Sequence, residues 1–144
     1  MTFKEAIATL AKELSIENWE PKESGRFVAG FDGGLVLELS EGKERETLLL
    51  SGQIARFDDS TTKEDLVKIL QLNGPAMKYY DDVLTLDREE NALVLQRTLG
   101  LKYIQESVFI RGVEQFLNNL EFWVKLTRTE TLSPESDAPF MILP

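Results

Sequence analysis

The sequence predicts a single α+β domain in the order helix, three strands, helix, two strands, helix, with a twisted antiparallel sheet packed on the helices. Three observations carry this reading. Apolar residues recur at helical spacing near both ends of the chain, they alternate at strand spacing between those ends, and glycine- or proline-bearing turns separate the runs. At 144 residues the chain is long enough for one core and short for two.

Phe3, Ile7, Leu10 and Leu14 line one side of a first helix, with Lys4, Glu5, Lys12 and Glu13 elsewhere on the wheel. Ser15 to Gly25, with Trp19, Pro21 and several acids, reads as a connecting loop. The period then changes to two. Phe27, Ala29 and Phe31 share a strand face, Asp32-Gly33-Gly34 supplies a tight turn, and Leu35, Leu37 and Leu39 return as the second strand. Glu41-Gly42-Lys43 turns the chain again into a third strand from Thr47 to Ser51, extending past Gly52 to Phe57 in the longer reading. Consecutive strands of this kind pair as an antiparallel meander.

Thr61-Thr62-Lys63-Glu64 has capping-box spacing and starts a second helix with Leu66, Ile69 and Leu70 on one side, closed by Asn73-Gly74-Pro75. Tyr80 to Asp87 and Ala92 to Thr98 read as a second hairpin across the polar loop Arg88 to Asn91. Phe109, Val113, Phe116, Leu117, Leu120 and Val124 then mark a last helix from about Ser107 to Leu126, with Trp123 near its end. Residues 1–126 form the expected domain, and 127–144, with three prolines and no period, an expected flexible tail.

Composition narrows the chemistry. There is no cysteine and no histidine, so thiolate nucleophiles, imidazole bases, disulfides and nearly every zinc site are excluded. A net charge of −9, with the acids spread along the chain, disfavours nucleic acid and anionic membrane surfaces as partners. No apolar run has the length of a membrane helix, and the charged opening residues interrupt what a signal peptide would need. These features predict a cytoplasmic protein with no membrane insertion.

The candidate motifs weigh toward structure. Gly30-Phe31-Asp32-Gly33-Gly34 lacks the glycine spacing and the Lys-Ser/Thr of a phosphate loop, and strand follows it where helix is required. Asp58-Asp59, Asp81-Asp82 and Glu89-Glu90 lack the alternation of a calcium loop. Tyr79, Tyr80 and Trp123 suit core or protein interface better than base stacking in so acidic a field. The reading is therefore a binding protein that is not an enzyme, with no catalytic residue, no metal and no cofactor. One feature stands out: Val28 and Val36 lie opposite the Phe27 and Leu35 faces, and Val94 opposite Leu93 and Leu95, so part of the sheet is apolar on both sides.

The element order, together with FKEAIATLAKEL, FVAGFDGGLVLEL, ETLLLSGQIARF, TKEDLVKILQLNG and VEQFLNNLEFWVKL, resembles the class I chaperones of bacterial type III secretion, the Tir-chaperone-like group. The resemblance covers about residues 3–126. It implies a homodimer whose interface is built by the second helix and the following strand, here Leu66, Ile69, Leu70, Tyr80 and Leu84. It also implies that the N-terminal region of a secreted effector, or of a secretion regulator, winds over the dimer in extended form. Phe3, Ile7, Leu10, Phe27, Val28 and Val36 are the residues expected to line its apolar groove. The competing classes are a carboxylate-dependent enzyme, marked by converging acids in a pocket, and a ligand-binding domain, marked by an enclosed cavity.

Overall fold

The computed structural model describes residues 1–58, 64, 65, 67, 68, 71 and 81–132, with backbone alone over the last four. Helix α1 spans Phe3–Glu13. Its start is a capping box in which the Glu5 N–H donates to Thr2 Oγ1 at 3.1 Å and the Thr2 N–H donates to Glu5 Oε1 at 3.2 Å. The Thr2 backbone N–H bonded to the Glu5 carboxylate holds that group below the ordinary carboxylate range. At the other end Ser15 takes a left-handed conformation (φ 57°) where glycine is usual. Its N–H reaches the Lys12 carbonyl and the Ile16 N–H reaches the Ala11 carbonyl, satisfying two orphan acceptors of the last turn.

The strands are β1 Phe27–Phe31, β2 Leu35–Glu41, β3 Thr47–Arg56, β4 Val83–Asp87 and β5 Ala92–Gly100. All neighbours pair antiparallel in the order β1-β2-β3-β5-β4. The turn Asp32–Gly34 makes the first hairpin tight because Gly33 and Gly34 both adopt φ of 80°. β3 is the longest strand, realising the longer reading of that segment. A register shift between Gln53 and Ala55 leaves Ile54 as the extra residue of the strand and sets Ala55 opposite Leu93.

Helix α2 spans Glu106–Leu132, six residues beyond the end expected at Leu126. Leu126 and Thr127 are buried and the Thr127 hydroxyl donates to the Val124 carbonyl, so core contact carries the helix past the last obvious apolar position. Of the expected second helix, Glu64, Asp65, Val67, Lys68 and Gln71 are helical, while Leu66, Ile69, Leu70 and Tyr80 lie outside the described residues.

The core forms on one face of the sheet. Leu37, Leu39, Leu48, Leu50, Leu93 and Leu95 pack with Ala6, Ile7 and Leu10 of α1 and with Phe109, Val113, Phe116, Leu120 and Trp123 of α2. The last helix presents the face its periodicity predicts, because residues three and four apart stack along one side. Gly52 is required where α2 crosses: a Cβ there would sit 2.5 Å from Leu120 Cδ2.

Candidate functional site

The sheet order leaves β1 with a single strand neighbour, β2, among the described residues. In an antiparallel strand, successive residues turn their backbone groups alternately toward the partner and away from it. On the outward side, one carbonyl of β1 and one of the residue just before it are occupied by the loop that precedes the strand. The Trp19 indole Nε1 donates to the Val28 carbonyl at 2.9 Å, and the Lys22 N–H donates to the Arg26 carbonyl at 2.7 Å. The Trp19 ring stands edge-on to Phe27 at 5.3 Å, and Phe27 meets Phe3 at 6.0 Å. Three rings thus join the start of α1, the loop and the sheet edge.

The six residues expected to line one groove do not come together. Ile7 and Leu10 are buried in the core, and Phe3 and Phe27 are half-buried beside them. Val28 and Val36 belong to the other side of the sheet, since Val28 is registered with Glu38 and Gly30 with Val36, while Phe27 is registered with Leu39. The pleat sends neighbours 27 and 28 to opposite faces, so a groove holding both α1 and Val28 is not formed; this corrects the sequence-based expectation. Of the expected interface residues, Leu84 is described, and its side chain is buried against Leu93 and Leu95 in its own core. On the same strand Val83 (42%) and Leu86 (50%) are the exposed apolar residues.

The second face of the sheet is mixed. Val36 is 42% exposed and Val28 and Leu49 are half-buried, interleaved with Glu38, Ser40, Ser51, Gln53 and Thr98, whereas Ala92 and Val94 are buried. The apolar character read from the sequence on both sides is therefore present, concentrated at Val28 and Val36 and at Val94.

The polar residues are mostly engaged in holding the fold. Arg97, on the core side of β5, donates from Nη2 to Asp82 Oδ2 at 3.0 Å and from Nε to Asp82 Oδ1, and its Nη1 donates to the Gly112 carbonyl at 3.2 Å. Asn119 of α2 also donates to Asp82. All three side chains are buried, so a bidentate ion pair ties the approach to β4, β5 and α2 together in the interior. Glu90, in the turn of the second hairpin, pairs with Arg56 of β3 at 2.9 Å, and Asp87 accepts from the Glu89 and Glu90 backbone N–H groups. An open depression of about 510 Å³ between α1 and α2 is lined by Glu13, Glu106, Ser107, Ile110, Arg111 and Glu114. Among the described residues no three carboxylates are grouped so as to hold a metal ion, and no helix is long and apolar enough to cross a membrane.

Two participants were not anticipated from sequence. The sequence places Trp19 in the connecting loop, and its signal is a bulky indole just before a strand. No motif singles out Arg97; its signal is parity, since it follows Leu93 and Leu95 on the inward side.

Comparison with known proteins gives three findings. The model of the Tir chaperone protein (CesT) family matches residues 5–124. Among curated proteins none matches the chain by sequence. Among solved structures, the complex of ExsC with ExsE contains a chain 19% identical at TM-score 0.71, over 88% of this chain and 97% of that one. The HopA1–SchA chaperone–effector complex gives 19% identity at TM-score 0.63, over 85% and 93%. The Yersinia pestis type III secretion chaperone SycH, with a stable fragment of YscM2, gives 16% at TM-score 0.59, over 85% and 99%. At these identities the likeness to the solved structures is one of fold.

Proposed function

The chain belongs to the Tir chaperone protein (CesT) family, and from that premise we propose that it is a type III secretion chaperone that keeps the N-terminal region of a secreted effector extended, soluble and ready for export. The observation that carries this reading is the extent of the family match, residues 5–124, which runs from α1 through the whole sheet to the last core turn of α2. The physical setting agrees. An edge strand carries backbone acceptors at strand spacing, those at Arg26 and Val28 held in the free chain by its own loop, and half-exposed Phe3 and Phe27 on one side, with Val28 and Val36 on the other, flank it with apolar surface. An extended segment takes such a surface by adding backbone hydrogen bonds while its alternate side chains are buried.

Binding of this kind needs no covalent step, so the role is that of a holder in the cytoplasm, acting without cofactor. We assign the working unit as a homodimer whose interface takes in Leu66, Ile69, Leu70 and Tyr80, together with Val83 of β4, which is 42% exposed in the single chain. The affinity arises from burial: each Leu- or Phe-sized side chain contributes about 1.5–3 kcal/mol, set against the cost of ordering the bound segment.

Co-expression in the native host, affinity capture and mass spectrometry test the reading. A stoichiometric secreted protein is expected, with capture lost when that protein's N-terminal region is deleted. Light scattering is expected to give twice the chain mass of 16.4 kDa. A chain that stays at 16.4 kDa and captures no protein through an N-terminal region overturns it.

A further inference from the structure

The connection between α1 and β1 has a built shape. Ser15, Asn18 and Gly25 all adopt positive φ, which turns the chain back along the strand it leads into. Two of its donors, the Lys22 N–H on the Arg26 carbonyl and the Trp19 indole on the Val28 carbonyl, fall on acceptors two residues apart. That is the repeat at which an edge strand receives another strand. The loop therefore fills, with donors of its own, the positions that an added strand would use. Trp19 also lies against Phe27, where an alternate side chain of an added strand would pack.

The cap is lightly held. From Ser15 to Arg26 only Ile16 and Trp19 are half-buried and the remaining residues are exposed, so little buried surface resists removal. Beyond the capped stretch Gly30 is exposed, and a Cβ built there meets nothing within 4 Å.

We propose that the 15–25 loop, latched by Trp19, is a detachable cap that closes the β1 edge in the free chain and gives up its place to an extended segment of another polypeptide. The occupant is defined by what the loop supplies: backbone N–H donors for the Arg26 and Val28 carbonyls, and a bulky apolar side chain set against Phe27 where Trp19 stands. This deepens the chaperone reading and rests on it.

The chain has two tryptophans, and Trp123 is 1% exposed. In Trp123→Phe the emission reports Trp19 alone; should that variant not fold, the wild-type chain with Trp19→Phe as its blank gives the same signal. Acrylamide quenching is measured on the free chain and on the complex captured from the native host. Displacement is expected to shift Trp19 emission to the red and raise its quenching in the complex. A complex in which Trp19 emission and quenching are unchanged overturns the cap while leaving the chaperone reading in place. If no complex is captured, the chaperone reading fails and the second arm alone decides.

That arm needs no client. Trp19→Ala uncovers the edge, and light scattering is expected to show association beyond the wild-type mass, because open edges pair with one another. Adding Gly30→Pro removes an outward N–H while sparing the β1–β2 ladder, and is expected to return the mass to the wild-type value. A Trp19→Ala chain that is folded by circular dichroism and keeps the wild-type mass overturns the cap. Should Trp19→Ala not fold, Trp19→Phe, which keeps a ring on Phe27 but has no N–H to donate, is read by the same two criteria.

Discussion

Replacing Arg97 by leucine is expected to be among the most damaging single changes in the protein. Arg97 and Asp82 have side chains only 6% and 2% exposed, and the guanidinium makes three hydrogen bonds, two to Asp82 and one to the Gly112 carbonyl. Arg97→Leu leaves the Asp82 carboxylate buried with the Asn119 amide as its remaining partner in this network. Stranding one member of a buried pair costs about 3–5 kcal/mol. Against a total stability of about 5–15 kcal/mol, that is at least about a fifth of the margin. With a urea slope near 2 kcal/mol/M, the midpoint should fall by about 2 M at fixed protein concentration. The double variant Asp82→Leu, Arg97→Leu removes both charges and should recover part of the loss, because the desolvation cost of the pair disappears with the pair. If Arg97→Leu shifts the midpoint by less than the equivalent of about 1 kcal/mol, as an exposed ion pair would, the reasoning fails.

Three further outcomes follow from the same geometry. Gly52→Ala should cost about 1–3 kcal/mol by denaturant unfolding, since its Cβ would stand 2.5 and 2.8 Å from the Leu120 methyls, and Leu120→Ala in the same chain should relieve part of that strain. Ser15→Gly should stabilise the protein by up to about 1 kcal/mol in thermal unfolding, because the left-handed C-cap at φ 57° burdens serine with a Cβ penalty that glycine lacks. Ile7→Asp should unfold the chain by circular dichroism, because Ile7 is buried among core leucines, while Val36→Glu should leave the fold intact because Val36 stands 42% exposed.

Much of the architecture was legible because it rests on local repetition. The alternation from Phe27 to Leu39 gave the first hairpin and its inward face, since a pleat assigns alternate residues to alternate sides regardless of what lies beyond. The stripe from Phe109 to Val124 gave the last helix and the surface it buries. The end of that helix is expected short, because the apolar residues that mark the stripe run out at Leu126 while the helix continues through the polar residues to Leu132. The residues expected to line one groove divide between core and far face for a related reason. Helical periodicity identifies the apolar side of α1, yet whether Ile7 and Leu10 are left open or covered depends on how closely sheet and α2 approach, and here they are covered.

By itself, then, the sequence determined the element order, the inward faces of strands and helices, and the chemistry that is excluded by a chain without histidine or cysteine. The tertiary structure alone decided that Arg97 and Asp82 meet in the interior, that Val28 stands on the far side of the sheet from α1, and that Trp19 reaches the Val28 carbonyl. The difference is physical. Periodicity is a property of neighbours along the chain, whereas a buried ion pair fifteen residues apart and an indole on a strand edge nine residues away exist only once distant backbone segments have been brought into register.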